Sequence, residues 1–172
     1  SIEAEVTLDL LDELYRKLQF TKYVTMQMKR PYKMHAEVTG DLEQGSFWCD
    51  GKTLTVLDKK KEAFYATIEM TGTLDETMDF AMEEFDLDLP LADIIYSDAF
   101  AGVFDAINEA VYIDESRING FDCHHLAFYQ DNVDWQIWMD RGAYPIPRKI
   151  LLTYTDLPGA PQHTIEFLQF DF

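Results

Sequence analysis

Alternation of apolar and polar residues is the feature that most constrains how this chain can fold. At its start, Ile2, Ala4, Val6, Leu8 and Leu10 alternate with charged or hydroxyl side chains. A period of two places the apolar residues on one face of a β-strand and the polar residues on the other. The opening segment therefore predicts a strand with one buried and one solvated face.

The same alternation continues to about residue 70 and is interrupted by turn signals. Arg30-Pro31 closes the second strand because proline has no N–H to donate to a ladder. Asp50-Gly51 is a strong hairpin signal between two further apolar runs. We predict a meander of antiparallel hairpins over residues 1–70.

The apolar period then changes from strand to helix. Thr73 and Glu76 have the spacing of a capping box, which marks a helix start. The apolar residues that follow at helical spacing are Met78, Met82 and Phe85. A second helical stretch is predicted from Pro90 to Tyr96. We expect a helical insert over residues 73–110 whose apolar stripe covers a sheet face.

Strand patterns resume at residue 111 and continue to residue 172. Asn119-Gly120 marks a further hairpin within this half. No linker is long enough to separate domains, so one domain is expected over residues 1–172. The total is roughly ten strands in a mostly β (α+β) fold. Such a long antiparallel sheet is expected to curve strongly around a hollow lined by apolar side chains.

The charge of the chain disfavours two classes of partner. Acidic residues number 32 against 14 basic ones, which gives a formal net charge of −18. A field of that sign repels nucleic-acid backbones and anionic lipid surfaces. No apolar run approaches the roughly 20 residues that a transmembrane helix needs. We interpret the acidity as a solubility feature.

The residues with the most metal-like spacing are Cys123, His124 and His125. In a strand, Cys123 and His125 point one way and His124 the other, so at most two ligands share a site. Zinc needs three or four ligands, and His35 or His163 could complete a set only if the fold happened to place it there. We expect a buried, hydrogen-bonded histidine beside an apolar cysteine, and no metal.

Motifs for nucleophilic or phosphate chemistry are absent from the sequence. We therefore predict a non-enzymatic protein with no catalytic residues and no cofactor. The competing enzymatic hypothesis would use Cys123, His124 or His125. The two cysteines, Cys49 and Cys123, could form one disulfide or remain two buried thiols, and the sequence leaves both alternatives open.

Strand parity also predicts which side chains could line a ligand cavity. Trp135 and Trp138 fall on opposite faces of one strand, so one ring either lines the hollow or packs at an edge. Methionines add adaptable apolar surface, which suits either a ligand or a core. The expected wall is Phe20, Val24, Met26, Met28, Trp48, Phe64, Ile68, Met82, Phe104, Trp135 and Ile137.

As a set, several segments resemble a family of predicted periplasmic bacterial proteins, domain-of-unknown-function family 2092. The match runs in order along nearly the whole chain. Its segments are Arg30–Met34, Trp48–Thr55, Leu89–Ile95, Gly120–Phe128, Val133–Trp138, Pro145–Lys149 and Pro158–Gln162.

The resemblance implies a fold similar to the LolA and LolB lipoprotein carriers and to the N-terminal domain of the RseB stress regulator. That fold is an unclosed β-barrel with helices over an apolar cavity. It implies a periplasmic protein that binds a hydrophobic molecule, such as a lipid or a lipoprotein acyl chain. The alternative is a module that senses stress or binds an envelope protein, as RseB does. No catalytic residues carry over from the family.

Overall fold

The computed structural model describes residues 1–60, 64–85, 95–98 and 104–171. Within them, eleven strands and one α-helix are present, against the roughly ten strands expected. The strands are β1 (Ile2–Leu11), β2 (Lys17–Lys29), β3 (Lys33–Gly40), β4 (Gln44–Cys49), β5 (Thr53–Asp58), β6 (Phe64–Glu69), β7 (Glu109–Ile118), β8 (Phe121–Tyr129), β9 (Val133–Asp140), β10 (Pro147–Tyr154) and β11 (Gln162–Phe170). The helix is α1 (Leu74–Phe85).

All eleven strands belong to one antiparallel sheet with the order β6-β5-β4-β3-β2-β1-β11-β10-β9-β8-β7. Strands that follow each other in sequence are neighbours, except for β6 and β7, which lie at opposite edges of the sheet. At the centre, β1 pairs with β11. This pair joins the two series of hairpins. The sheet ends at β6 and β7, so it remains open, and the predicted mostly β antiparallel class is confirmed.

Backbone angles in two of the hairpin turns explain why their residues predicted a hairpin. Between β7 and β8, Asn119 and Gly120 adopt positive φ values of 49° and 91°. Between β4 and β5, Gly51 has a φ of 85°. Glycine reaches this backbone region without a Cβ penalty, and asparagine tolerates it. Both predicted hairpins are therefore present.

The two faces of the sheet differ in chemistry. On β1, Ile2, Ala4 and Val6 are at most 5% exposed and belong to the same core cluster as α1. We call this side the inner face and the opposite side the outer face. Register pairing extends the inner face to both sides of β1. The core residues that other strands add to it are Val24, Met26, Met34, Phe47, Cys49, Leu54, Val56, Ile165 and Phe167.

Helix α1 packs on the inner face through one apolar stripe. Leu74, Met78 and Ala81 are at most 1% exposed and have the i, i+4, i+7 spacing of a single helix face. The predicted capping box is formed: the Thr73 N–H donates to Glu76 Oε2 at 2.8 Å, and the Glu76 N–H donates to Thr73 Oγ1 at 3.3 Å. The Thr73 N–H and the Thr73 hydroxyl both donate to Glu76 Oε2 and hold the pKa of the Glu76 carboxyl below its usual range.

The rest of the predicted helical insert agrees with the structure only in part. The second helical stretch, from Pro90 to Tyr96, lies mostly outside the described residues. A 3₁₀ turn is present at Phe104–Ala106. Strand β7 begins at Glu109, two residues before the expected position, because Glu109 and Ala110 already pair with β8. Among the helical residues that the structure describes, no segment is long and apolar enough to cross a membrane.

Candidate functional site

The inner face carries a line of side chains that crosses six neighbouring strands. Register pairs bring these residues side by side in the order Phe128, Trp135, Leu152, His163, Leu8 and Phe20. We call this line the apolar row, since five of its six members are apolar. A second apolar line runs beside it through Leu126, Ile137, Ile150, Ile165 and Val6.

Most of the apolar row is only half-buried. Phe128, Leu152, Leu8 and Phe20 each keep part of their surface exposed, whereas Trp135 is 7% exposed. The rings of Phe128 and Trp135 are stacked, with centroids 4.1 Å apart and planes 17° apart. A contiguous line of half-buried apolar side chains leaves area that an apolar ligand can remove from water.

Exposed apolar side chains continue this surface at one end of the sheet. Leu10 and Leu18 pair across β1 and β2, two residues beyond the apolar row, and are 42% and 47% exposed. Leu14 and Tyr15, in the turn between these strands, are also largely exposed. We call these four residues the apolar rim. Contiguous exposed apolar surface of this kind often marks a ligand groove or an interaction site.

Trp135 contributes a polar group inside the apolar row. Its Nε1 atom is buried and has no hydrogen-bond partner in the described part of the chain. A buried N–H without an acceptor is unfavourable by about 1–3 kcal/mol. Buried tryptophan N–H groups usually find a partner, so this donor favours a ligand that offers an acceptor oxygen.

Lys22 places a cation on the same face. It is 5% exposed, and its Nζ donates to both carboxylate oxygens of Glu43 at 3.0 and 3.1 Å. Gly40, its register partner on β3, leaves room for this side chain because a Cβ there would lie 2.5 Å from Lys22 Cβ. Glu43 is 48% exposed, so the ion pair sits where the inner face meets solvent.

His163 is the one polar member of the apolar row. It is 9% exposed, and its Nδ1 lies 3.5 Å from the Tyr154 hydroxyl oxygen. The two rings also meet edge to face, with centroids 6.0 Å apart. These contacts fix the imidazole in place, so the group acts here as a positioned polar side chain between Leu152 and Leu8.

The predicted wall residues divide into distinct groups on the sheet. Val24 and Met26 are buried in the core cluster that includes α1, and Met28 packs against it. On the inner face away from that cluster's centre lie Phe20, Trp135 and Ile137. Phe64 and Ile68 lie on the inner face of edge strand β6. The two expected wall residues of the helical insert are Met82 on α1 and Phe104 in the 3₁₀ turn. Phe104 is 58% exposed.

Trp48 does not lie with the other expected wall residues, and the prediction for its face of the sheet was wrong. It pairs with His35 and Thr55 on the outer face, while its neighbour Phe47 takes the inner position opposite Ala36 and Val56. The physical reason is strand parity: a shift of one residue moves a side chain to the other face of the sheet.

Sequence reasoning missed several members of the candidate site. Leu8, Leu126, Phe128 and Leu152 were not among the expected wall residues, although they share the inner face with Trp135. Parity across the β8–β9 hairpin would have found two of them, because Phe128 pairs with Trp135 and Leu126 with Ile137.

The cysteine and histidines of β8 adopt structural roles. His125 Nε2 lies 2.9 Å from Gln136 Oε1, and the His125 ring stacks on Trp138 with centroids 4.2 Å apart. Register places Cys123 and His125 on the outer face and His124 on the inner face, as predicted. In the described ranges, no three metal-ligating side chains converge on one point.

Both cysteines are buried free thiols, so the disulfide alternative is wrong in this structure. Burial raises the pKa of the Cys49 thiol to about 11 and also raises the pKa of the Cys123 thiol. A thiol with a raised pKa carries little thiolate at neutral pH and is a poor nucleophile. The arrangement therefore supports binding better than covalent chemistry.

Several solved structures share this architecture. The chain is similar to the Mycobacterium tuberculosis lipoprotein LppX, with a TM-score of 0.53 and 9% identity over 96% of this chain and 83% of LppX. It is also similar to a chain of the Pseudomonas aeruginosa MucA/MucB complex, with a TM-score of 0.50 and 11% identity over 98% of this chain. This chain covers 50% of the length of that relative.

A LolA superfamily protein from Nitrosomonas europaea is similar at a TM-score of 0.37 and 11% identity, over 100% of this chain and 87% of that one. At these identities, the structural similarities establish the fold alone. The similarities to LppX and to the chain of the MucA/MucB complex agree with the predicted unclosed half-barrel. A search of curated protein sequences found no match to this chain.

One family model covers the whole sequence. It matches residues 1–172 and describes a predicted periplasmic protein, DUF2092. The resemblance drawn from the sequence segments and the expected periplasmic localisation are thereby confirmed. The chain belongs to the DUF2092 family of predicted periplasmic proteins.

Proposed function

We propose that this protein is a non-enzymatic periplasmic protein that binds a hydrophobic ligand against the inner face of its sheet. The ligand class is an acyl chain, carried by a lipid or a lipoprotein. The half-buried apolar row, which continues into the exposed apolar rim, is the main support for this proposal. A ligand lying along the row would enter past Leu10 and Leu18.

The energetics of such binding come from apolar area. Each methylene removed from water contributes about 0.8 kcal/mol, so a chain that buries eight of them gains roughly 6 kcal/mol before the entropic costs of association. An acyl ester or carboxylate also carries acceptor oxygens. Trp135 Nε1 offers an unpaired donor for such an oxygen within the same row.

Adjacent leucines on β10 provide a matched test. Leu152 lies on the inner face opposite Trp135, whereas Leu151 lies on the outer face opposite Gln136. Leu152→Gln is expected to weaken binding of a fluorescent acyl probe by about tenfold, because it removes apolar contact area and adds an amide that must be desolvated. Leu151→Gln is the control and is expected to leave probe binding unchanged.

Titration of the probe and mass spectrometry of lipids extracted from the purified protein would measure these outcomes. Thermal unfolding of both variants separates lost binding from lost structure. Equal binding by the two variants, or absence of probe uptake by the unmodified protein, would remove the basis of the proposal.

A second candidate function is recognition of an envelope protein. The fold similarity to a chain of the MucA/MucB complex favours it, as do the open sheet edges. On edge strand β6, Tyr65 is 68% and Phe64 is 42% exposed, which suits addition of a strand from a partner. Recovery of a specific partner from periplasmic extract, lost when β6 carries Ala66→Pro, would support this function.

A further inference from the structure

The outer face carries an open cleft that the proposed ligand site does not use. It lies at the end of the sheet where the β2–β3 and β4–β5 hairpins sit side by side, and its volume is about 530 Å³. We call it the outer cleft. The side chains of its lining that matter here are Gln27, Lys29, Lys33, His35, Trp48 and Thr53.

Two aromatic rings form one wall of the outer cleft. His35 and Trp48 are register partners on β3 and β4, and their rings stack with centroids 5.3 Å apart and planes 8° apart. His35 Nε2 lies 3.6 Å from Glu37 Oε1 and makes no hydrogen bond in the described part of the chain. A rigid ring stack with an amide and a hydroxyl nearby suits a ring-shaped ligand with one apolar face and polar edges.

Two lysines form the other wall. Lys29 and Lys33 are opposite each other where β2 and β3 meet, and both are exposed. Neither side-chain ammonium group makes a hydrogen bond or an ion pair within the described ranges, in a chain with 32 acidic residues. Like charges directly opposite each other in a sheet are unfavourable, and an anion placed between them would reverse the sign of that interaction.

Asp50 is the carboxylate in the lining of the outer cleft, and its charge is engaged elsewhere. Its Oδ1 accepts hydrogen bonds from the backbone N–H groups of Lys52 and Thr53, each at 2.9 Å. Asp50 therefore serves the β4–β5 turn. It leaves Lys29 and Lys33 available to an incoming anion.

We infer that the outer cleft binds a sugar phosphate. The sugar ring packs against the stack of His35 and Trp48, and the phosphate lies between Lys29 and Lys33. The net charge of −18 repels a polymeric polyanion. We therefore expect a ligand with a single phosphate group on one ring. Such a group could be a free metabolite or the headgroup of a lipid. The inference is independent of the acyl site, which lies on the other face of the sheet.

Three soluble probes separate the contributions of ring and phosphate: glucose 1-phosphate, inorganic phosphate and glucose. Calorimetric titration of the full chain is expected to rank their affinities in that order. The variant Lys29→Gln/Lys33→Gln is expected to bind glucose 1-phosphate about 100-fold more weakly, since one charge-assisted bond per lysine is worth about tenfold. Trp48→Ala is expected to weaken glucose 1-phosphate binding while leaving inorganic phosphate binding unchanged.

A control variant tests whether the effect is local. Lys59→Gln/Arg117→Gln makes the same change in net charge at exposed positions outside the outer cleft and is expected to bind like the unmodified protein. Retention of full binding by Lys29→Gln/Lys33→Gln, equal loss in both double variants, or no binding of glucose 1-phosphate together with no vesicle binding would overturn the inference.

Vesicles distinguish the two sources of the phosphate. Phosphatidylcholine vesicles that contain phosphatidylinositol present a ring and a phosphate on a membrane. Co-sedimentation with them that is lost in Lys29→Gln/Lys33→Gln would assign the ligand as a lipid headgroup. Binding of soluble glucose 1-phosphate without vesicle binding would assign a free sugar phosphate.

Discussion

Replacing Phe167 with alanine is expected to lower the free energy of unfolding by about 4 kcal/mol. Phe167 is 1% exposed on β11, opposite Ala4 at the centre of the sheet, and packs near the Phe170 ring. Removing a fully buried phenyl ring forfeits its transfer free energy and leaves a cavity. The melting temperature of a chain this long should fall by roughly 10 °C.

The next residue provides the control for that substitution. Leu168 is 50% exposed, so Leu168→Ala is expected to change the unfolding free energy by less than about 1 kcal/mol. Denaturant unfolding monitored by tryptophan fluorescence measures both values. Similar losses for the two variants would mean that the inner face is not the core of this sheet.

Glu43→Gln is expected to destabilise the protein by about 3 kcal/mol. The substitution leaves the Lys22 ammonium, which is 5% exposed, without its carboxylate partner on the inner face. A buried charge that has lost its partner keeps its desolvation penalty but not the attraction that offset it. Denaturant unfolding at neutral pH would measure the loss.

The complementary substitution should behave differently because the two partners differ in burial. Lys22→Met removes the buried charge and leaves Glu43, which is 48% exposed, to be solvated by water. Its unfolding free energy is expected to equal or exceed that of the unmodified protein. If Lys22→Met were as destabilising as Glu43→Gln, the ion pair itself would be a net source of stability.

Local patterns predicted most of the secondary structure because they depend on neighbouring residues. The alternation from Ile2 to Leu10 predicted β1, and Thr73 with Glu76 predicted the start of α1. Asn119-Gly120 predicted a hairpin that is present with both residues at positive φ. Each of these signals is decided within about ten residues of chain.

Pairings distant in sequence could not be predicted in the same way. Nothing in β1 or β11 alone indicates that Ala4 lies opposite Phe167, yet that central pair joins the two halves of the sheet. The apolar row depends on it, because Leu8 meets His163 through the same pair of strands. Phe20 and Trp135 were therefore expected singly, but their connection into one row was missed.

The sequence also did not determine which face of the sheet each large apolar residue of β4 occupies. Phe47 and Trp48 are both large and apolar, so the sequence does not say which of them points inward. The register with β3 decides it by pairing Phe47 with Ala36. The Lys22–Glu43 pair was also missed, because alternation gives no sign that a lysine can be buried when a loop carboxylate reaches it.

The three tryptophans allow the location of the bound acyl chain to be measured. Trp135 lies on the inner face, whereas Trp48 and Trp138 lie on the outer face. Two variants that each retain one tryptophan, with phenylalanine at the other two positions, report on one face at a time. A fatty acid brominated along its chain quenches the fluorescence of an indole only at close range.

The brominated fatty acid is expected to quench the variant that retains Trp135 with saturation and to leave the variant that retains Trp48 unaffected. An unbrominated fatty acid should compete for the same site and restore the fluorescence. Quenching of Trp48 alone, or equal and unsaturable quenching of both variants, would contradict an acyl site on the inner face.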